Sequence, residues 1–304
     1  DIVWYPYEDI MHAHQTKEPF NMYGNNSLLT GSLIIKPTGL SGKGTMNLEK
    51  AVLKSKLFDL KAQSFSSDTT SFSLKSLDKS DFNFLTEDLS GEVAFTSQAG
   101  SFKSNESFTL AKFPKNMYVS YLDKFDWSIT KDEIAIESSP QIDTTGATTE
   151  VKELAHLKDD NLPGALYMST HLSQDSLRFA STKAIYSLKD SSIRATEVEY
   201  IKVADALLFP DENNVTIGHM ANMKTLTNSE IIANSENKFH RIYNSKINVK
   251  GRYKYLATGD YDYIDENNDI QNIHFTDISV DSTLQTMARS SITEEENFTL
   301  SPAY

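Results

Sequence analysis

The chain has 304 residues, of which 39% are hydrophobic and 11% aromatic, with 42 acidic against 29 basic side chains and no cysteine. A net charge of -13 opposes any grip on phosphate backbones, which depends on clustered Lys and Arg, and it opposes anionic lipid head groups as well. The missing thiols exclude disulfides, Cys-ligated zinc and thiolate nucleophiles, and no apolar run approaches the roughly 20 residues of a membrane-spanning helix.

Residues 1–23 form an N-terminal segment carrying Trp4, Tyr5 and Tyr7, then His12 and His14. An i, i+2 pair on a strand points both imidazoles to one side, where they could hold Zn²⁺ or Cu²⁺. No basic-then-apolar leader follows Asp1, so the chain is expected to begin inside a mature protein. From 24 to 137 the dominant signal is alternation with a period of two. Runs at 32–36, 43–48, 55–61, 71–75, 92–96, 117–121 and 133–137 are separated by Gly, Asp and Ser, as half-buried strands are. The Gly-rich stretch 39–44 has the look of a phosphate loop, but an alternating run follows it where a helix N-terminus is required, so it reads as a turn.

The stretch 138–164 breaks the pattern with Ser-Ser-Pro, Thr-Thr-Gly and Leu-Pro-Gly and reads as a connection between two β blocks, 24–137 and 165–304. Apolar residues at 151, 154 and 155 predict one short helix over 149–157. Alternation resumes at 184–188, 198–203, 246–250 and 272–276. Asp-Glu-Asn-Asn at 211–214 recurs at 265–268, and both copies read as hairpin turns, because Asn and Asp tolerate left-handed backbone. A polar turn feeding Phe-Thr-Leu, at 101–110, is echoed at 291–300. The last eight residues look like the opening of a further strand, so the polypeptide is expected to continue. Together these signals define an all-β chain of short repetitive strands, in which a β-solenoid or a folded-over β-trough is favoured over two β-sandwiches.

The run from Phe113 to Ile129, the run from Lys131 to Ile136 and the acidic stretch from Gly259 to Asn268 resemble segments of very large, uncharacterised envelope proteins of Bacteroidetes. More loosely, the strand–turn rhythm is similar to the β-trough domains of lipopolysaccharide-transport proteins. The resemblance implies an exported protein, periplasmic or on the surface of a Gram-negative cell, whose partners are other envelope proteins or the rest of the same polypeptide. It brings no catalytic residues.

Chemistry-bearing clusters are few. Asp260, Asp262, Asp265 and Glu266 supply several hard oxygens around one turn and are the candidate Ca²⁺ site, against the alternative of a solvated hairpin. No other cofactor is implied. Tyr118, Tyr121, Trp127, Tyr253 and Tyr255 occur at strand spacing; on one exposed face they would form a stacking row for sugars or apolar ligands, and inside a core they would form a cross-strand ladder. The remaining histidines are isolated, and no Gly-x-Ser-x-Gly or His-Glu-x-x-His motif accompanies them. The sequence therefore predicts a non-enzymatic scaffold segment with a groove for lipid or a partner. The alternatives are a carbohydrate-binding or adhesive module and, more weakly, a β-helix polysaccharide lyase, for which Arg252 is the one basic residue near the paired acids.

Overall fold

The structure is a computed structural model that describes residues 1–24, 27–77, 81–139, 147–158, 162–238, 240–264 and 268–291. It is all-β, with 62% strand and 7% helix, and all its strand pairings are antiparallel among the described residues. The first strands are β1 (Ile2–Tyr5), β2 (Ile10–His14), β3 (Phe20–Met22), β4 (Ser27–Lys36), β5 (Gly39–Leu48), β6 (Ala51–Leu60), β7 (Ser64–Lys75), β8 (Phe82–Ala94) and β9 (Ala99–Ser104). From β4 onward each pairs with the next, giving a curled half-barrel sheet of long strands. Alternation explains which face is buried: Met46, Leu48, Leu53, Phe58, Phe65 and Phe72 point inward, while Lys43, Thr45 and Lys54 stand on the other side.

The curl has a local cause. Pairing shifts register between Gly42 and Gly44 where β5 meets β6, is interrupted between Ser55 and Asp59 where β6 meets β7, and shifts again at Ser67–Thr70 between β7 and β8, and Asp88 in β8 has φ 58. A line of bulges crossing neighbouring strands bends and coils a sheet. Ser55 and Ser67 each donate to the Leu57 carbonyl at 2.9 Å, satisfying backbone that the bulge takes out of the ladder. The stretch 39–44 is not the expected turn but the first half of β5. Gly44 lies directly opposite Gly31, with φ of 131 and 146, and a methyl group on either would overlap the facing carbonyl of Thr30 or Lys43. Glycine is required there because two backbones meet.

Beyond β8 the sheet forks into two layers. The next strands are β10 (Thr109–Phe113), β11 (Tyr118–Leu122), β12 (Lys124–Ser128) and β13 (Glu133–Glu137); then come helix α1 (Thr149–His156), β14 (Ala165–Ser169), β15 (Arg178–Ser181), β16 (Lys183–Ser187) and β17 (Ser192–Thr196). One half of β8 pairs with β10, and that layer continues through β11, β14 and β15. The other half pairs with β9, and that layer continues through β12, β13, β16 and β17. Single residues, Asp123 and Thr182, carry the chain from the first layer to the second. The pairing order of β10–β13 thus recurs in β14–β17, with Lys124/Lys183, Trp127/Tyr186 and Ile134/Ile193 each 59 residues apart (183 − 124, 186 − 127, 193 − 134). Strands on either side of the 138–164 connection pair with one another, β11 with β14 and β13 with β16, so one sheet spans it.

Aromatic rings fill the space between the layers. Phe113 stands 5.6 Å from Tyr186 across the gap, and Phe84 lies 5.3 Å from Phe113 and 5.2 Å from Phe125. α1 covers a smaller core on the outside of the first layer, where Val151 and Leu154 meet Phe108, Tyr121 and Leu166. The Thr148 hydroxyl caps it by accepting from the Val151 amide at 3.4 Å. Buried Asn116 donates to the carbonyls of Ser191, Ile217 and Gly218 at 2.7–3.2 Å, pinning the β10–β11 turn to the far end of the opposite layer.

The last strands are β18 (Ile201–Val203), β19 (Ala206–Phe209), β20 (Val215–Ile217), β21 (Leu226–Ala233), β22 (His240–Gly251), β23 (Lys254–Ile264), β24 (Ile270–Val280) and β25 (Thr286–Arg289). All but β20, which pairs with β17, form a second, seven-stranded sheet. Asp211–Asn214 is therefore not a hairpin turn: it passes the chain from β19 in the second sheet to β20 in the first. Glu212 and Asn213 adopt the left-handed backbone there. Its counterpart at 265–268, and the echo at 291–300, lie largely outside the described residues.

Candidate functional site

The outer face of the second sheet carries the densest polar cluster that includes residues singled out from the sequence. Bulges set it up. Asn228 and Asn244 adopt φ of 51 and 50 at corresponding places in β21 and β22, and β23 shifts register at Gly259. Each asparagine is followed by a buried serine, Ser229 or Ser245, whose hydroxyl turns back to nearby carbonyls. Past these bulges, alternation places Arg241 and Tyr243 of β22, Asp260 and Asp262 of β23, and Asn272 and His274 of β24 on one exposed face.

The side chains pair across strands. Asp262 Oδ1 accepts from the Tyr243 hydroxyl at 2.7 Å and from Asn272 Nδ2 at 3.1 Å, and Asn272 also donates to the Tyr243 oxygen at 2.8 Å. Asp260 Oδ1 lies 2.6 Å from His274 Nδ1, and its Oδ2 accepts from Asn244 at 3.0 Å. Arg241 binds Glu230 through both Nε and a terminal nitrogen and sits 5.7 Å above the Tyr243 ring. Hydrogen bonds first from His274 and then from Asn244 hold the Asp260 carboxyl below its ordinary range; Tyr243 and Asn272 do the same for Asp262. The bond to Asp262 raises the Tyr243 hydroxyl in turn. Three of the four carboxylate oxygens of the aspartate pair already accept from the protein. Among the described residues no group of three or more His, Asp or Glu is placed to hold a metal ion. Asp265 and Glu266 lie outside the described residues.

The aromatic candidates part company. Tyr118, Tyr121, Trp127 and Tyr255 are 0–2% exposed, so they do not form the surface stacking row; they are core residues. Alternation turns them inward. Tyr118 packs 6.2 Å from Phe179, Tyr121 meets Phe108 at 5.6 Å under α1, Trp127 meets Phe72 at 5.4 Å, and the Tyr255 hydroxyl bonds Thr286 at 2.8 Å. Only Tyr253 of the five is exposed, at 39%, with the Arg252 guanidinium 5.1 Å above its ring. The most exposed aromatics among the described residues are at the chain start: Trp4, Tyr5 and Tyr7. His12 and His14 lie on one side of β2, their rings stacked with centroids 6.2 Å apart, and Tyr5 meets His12 edge-on at 5.6 Å.

Sequence reasoning missed Tyr243, Asn244, Asn272 and His274, which complete the cluster. The available signal was the Asn-Ser pair at 228–229 and again at 244–245. Read as bulges, those pairs fix which side of each strand faces solvent. Searches against protein-family models, curated proteins and solved structures return no match to this chain.

Proposed function

We propose that this chain is a non-catalytic scaffold segment of a large cell-envelope protein, a folded-over β-trough whose middle is packed solid and whose N-terminal edge pairs with further β structure. The observation that carries this reading is β1. Among the described residues it pairs on one side only, with β2, and it exposes Ile2 at 65%, Trp4 at 61% and Tyr5 at 47%. An unpaired edge strand with apolar side chains on both faces is a template for another strand, and exposed edges of this kind are otherwise blunted by charge or proline. The outer cluster of the second sheet agrees with it: three of the four oxygens of Asp260 and Asp262 are spent on structural bonds. The trough is favoured over two sandwiches because one residue, Asp123 or Thr182, hands the chain between layers that share β8.

A photo-crosslinking residue at Trp4, in the full-length protein within the envelope, tests this. A polypeptide adduct is expected, and no adduct overturns the reading. An acyl-chain adduct overturns it in favour of lipid carriage, the second reading. That reading is favoured by the inner face beside the same edge, where Ile2, Trp4, Met11 and Ile35 are only partly covered.

A further inference from the structure

On the outer face of the first sheet, a cleft of about 380 Å³ lies between β6–β8, β10 and the start of α1. It runs into a second, more open depression of about 720 Å³ over the bulge line, and the two share Lys54, Ser71, Glu87 and Asp88. Strand register builds the floor. Lys54 is paired with Ser71, Ser73 with Leu85, and Leu85 with Lys112, so these side chains cross four adjacent strands on one face. Glu87 follows along β8, and Glu150 is added from the first turn of α1.

This cleft differs from the polar cluster on the second sheet in that four of its charged side chains are unspent. The side chains of Lys54, Glu87, Lys112 and Glu150 make no hydrogen bond or ion pair with the described residues. Charge narrows what could bind. Glu87, Asp88 and Glu150 oppose an anion; Lys54 and Lys112 oppose a cation. A neutral molecule rich in hydroxyls is opposed by neither, because each hydroxyl donates to a carboxylate and accepts from an ammonium group. Leu85 and Leu110 give an apolar base of the sort that sugar C–H faces cover, and the continuation into the second depression gives room for several units in line.

We infer that this groove binds a neutral oligosaccharide, and that Lys54 and Glu87, which line both parts of it, are its principal contacts. The inference is independent of what pairs with β1. It is tested on the full chain by calorimetric and NMR titration with chitotetraose, maltotetraose and cellotetraose, beside oligogalacturonate as an acidic counterpart. At least one neutral tetrasaccharide is expected to bind, and Lys54→Ala and Glu87→Ala are each expected to weaken that binding about tenfold, the loss of one charged hydrogen bond. Both residues lie on the outer face, so the melting midpoint is expected to stay in place and to separate lost contact from lost fold. The inference is overturned by no neutral binding up to about 10 mM, by binding that both substitutions leave unchanged, or by binding of the acidic sugar alone.

Discussion

The middle of the molecule and its N-terminal edge are made of the same strands with the same alternation, yet they stand at opposite limits of packing. In the middle two layers face each other, and rings from both, Phe84, Phe113, Phe125 and Tyr186, close the gap. At the edge β1 and β2 have a neighbouring strand but no opposing layer among the described residues, so Trp4 is as apolar as Trp127 and is 61% exposed where Trp127 is 2%. Residue type sets which face a side chain prefers; whether that face is covered depends on the fork at β8, which lies far along the chain.

Substitutions make the contrast measurable. Trp127→Ala or Phe72→Ala should cost about 3–5 kcal/mol in urea unfolding, whereas Trp4→Ala should cost less than about 0.5 kcal/mol. Equal losses would show that the edge is covered in solution. Gly31→Ala comes next, at about 1–3 kcal/mol, because its methyl would meet the Lys43 carbonyl at a positive φ. Asn116→Ala should cost about 1–3 kcal/mol by stranding buried carbonyls that its amide now satisfies, and Asn116→Asp should not rescue it, because a carboxylate donates nothing.

Titration probes the same contrast without changing a residue. Burial pushes the hydroxyls of Tyr121 and Tyr186 up to about 12. An acid whose folded pKa is raised contributes stability that is complete below its unfolded value near 10 and lost as pH rises toward the folded one. Unfolding midpoints should therefore fall between about pH 10 and 12, with the late part of the tyrosinate absorbance appearing only as the chain unfolds. The smallest effect is expected at Asp190. Burial disfavours its charge, but bonds from Ser192, Ser187 and Arg194 outweigh this and hold it at about 2. Its contribution is present above its unfolded value near 4 and lost as pH falls through about 2, and Asp190→Asn should remove that part of the acid transition.

Much of this fold was legible locally. Residues 43–48 and 133–137 alternate and are strands, and the helix expected over 149–157 is α1, Thr149–His156. What could not be read was which strands share a layer, because Asp123 and Thr182 look like ordinary loop residues and their effect depends on pairings between strands far apart in the chain, β11 with β14 and β13 with β16. The same limit applies to the aromatics: strand spacing is identical for a core ladder and a surface row, and only the second layer decides between them. Asp211–Asn214 has hairpin chemistry, but local turn propensity does not encode which sheet receives the next strand. The groove over β6–β10 was invisible for a related reason, since Lys54, Glu87, Lys112 and Glu150 are brought together by register and by a helix arriving from the far side of β13.

The one-residue handovers at Asp123 and Thr182 bear on mechanics. A layer that owns its strands outright can slide over its neighbour or peel away from it; here a pull on β11 is transmitted through a single residue to β12, and a pull on β15 likewise to β16. Sliding is blocked at two separate points along the stack, so the two faces must yield together. Native-state hydrogen exchange should then find the amides of Tyr121 and Trp127 opening in a single event, and a stretched molecule should give way in one large step where separable sheets would give a staircase.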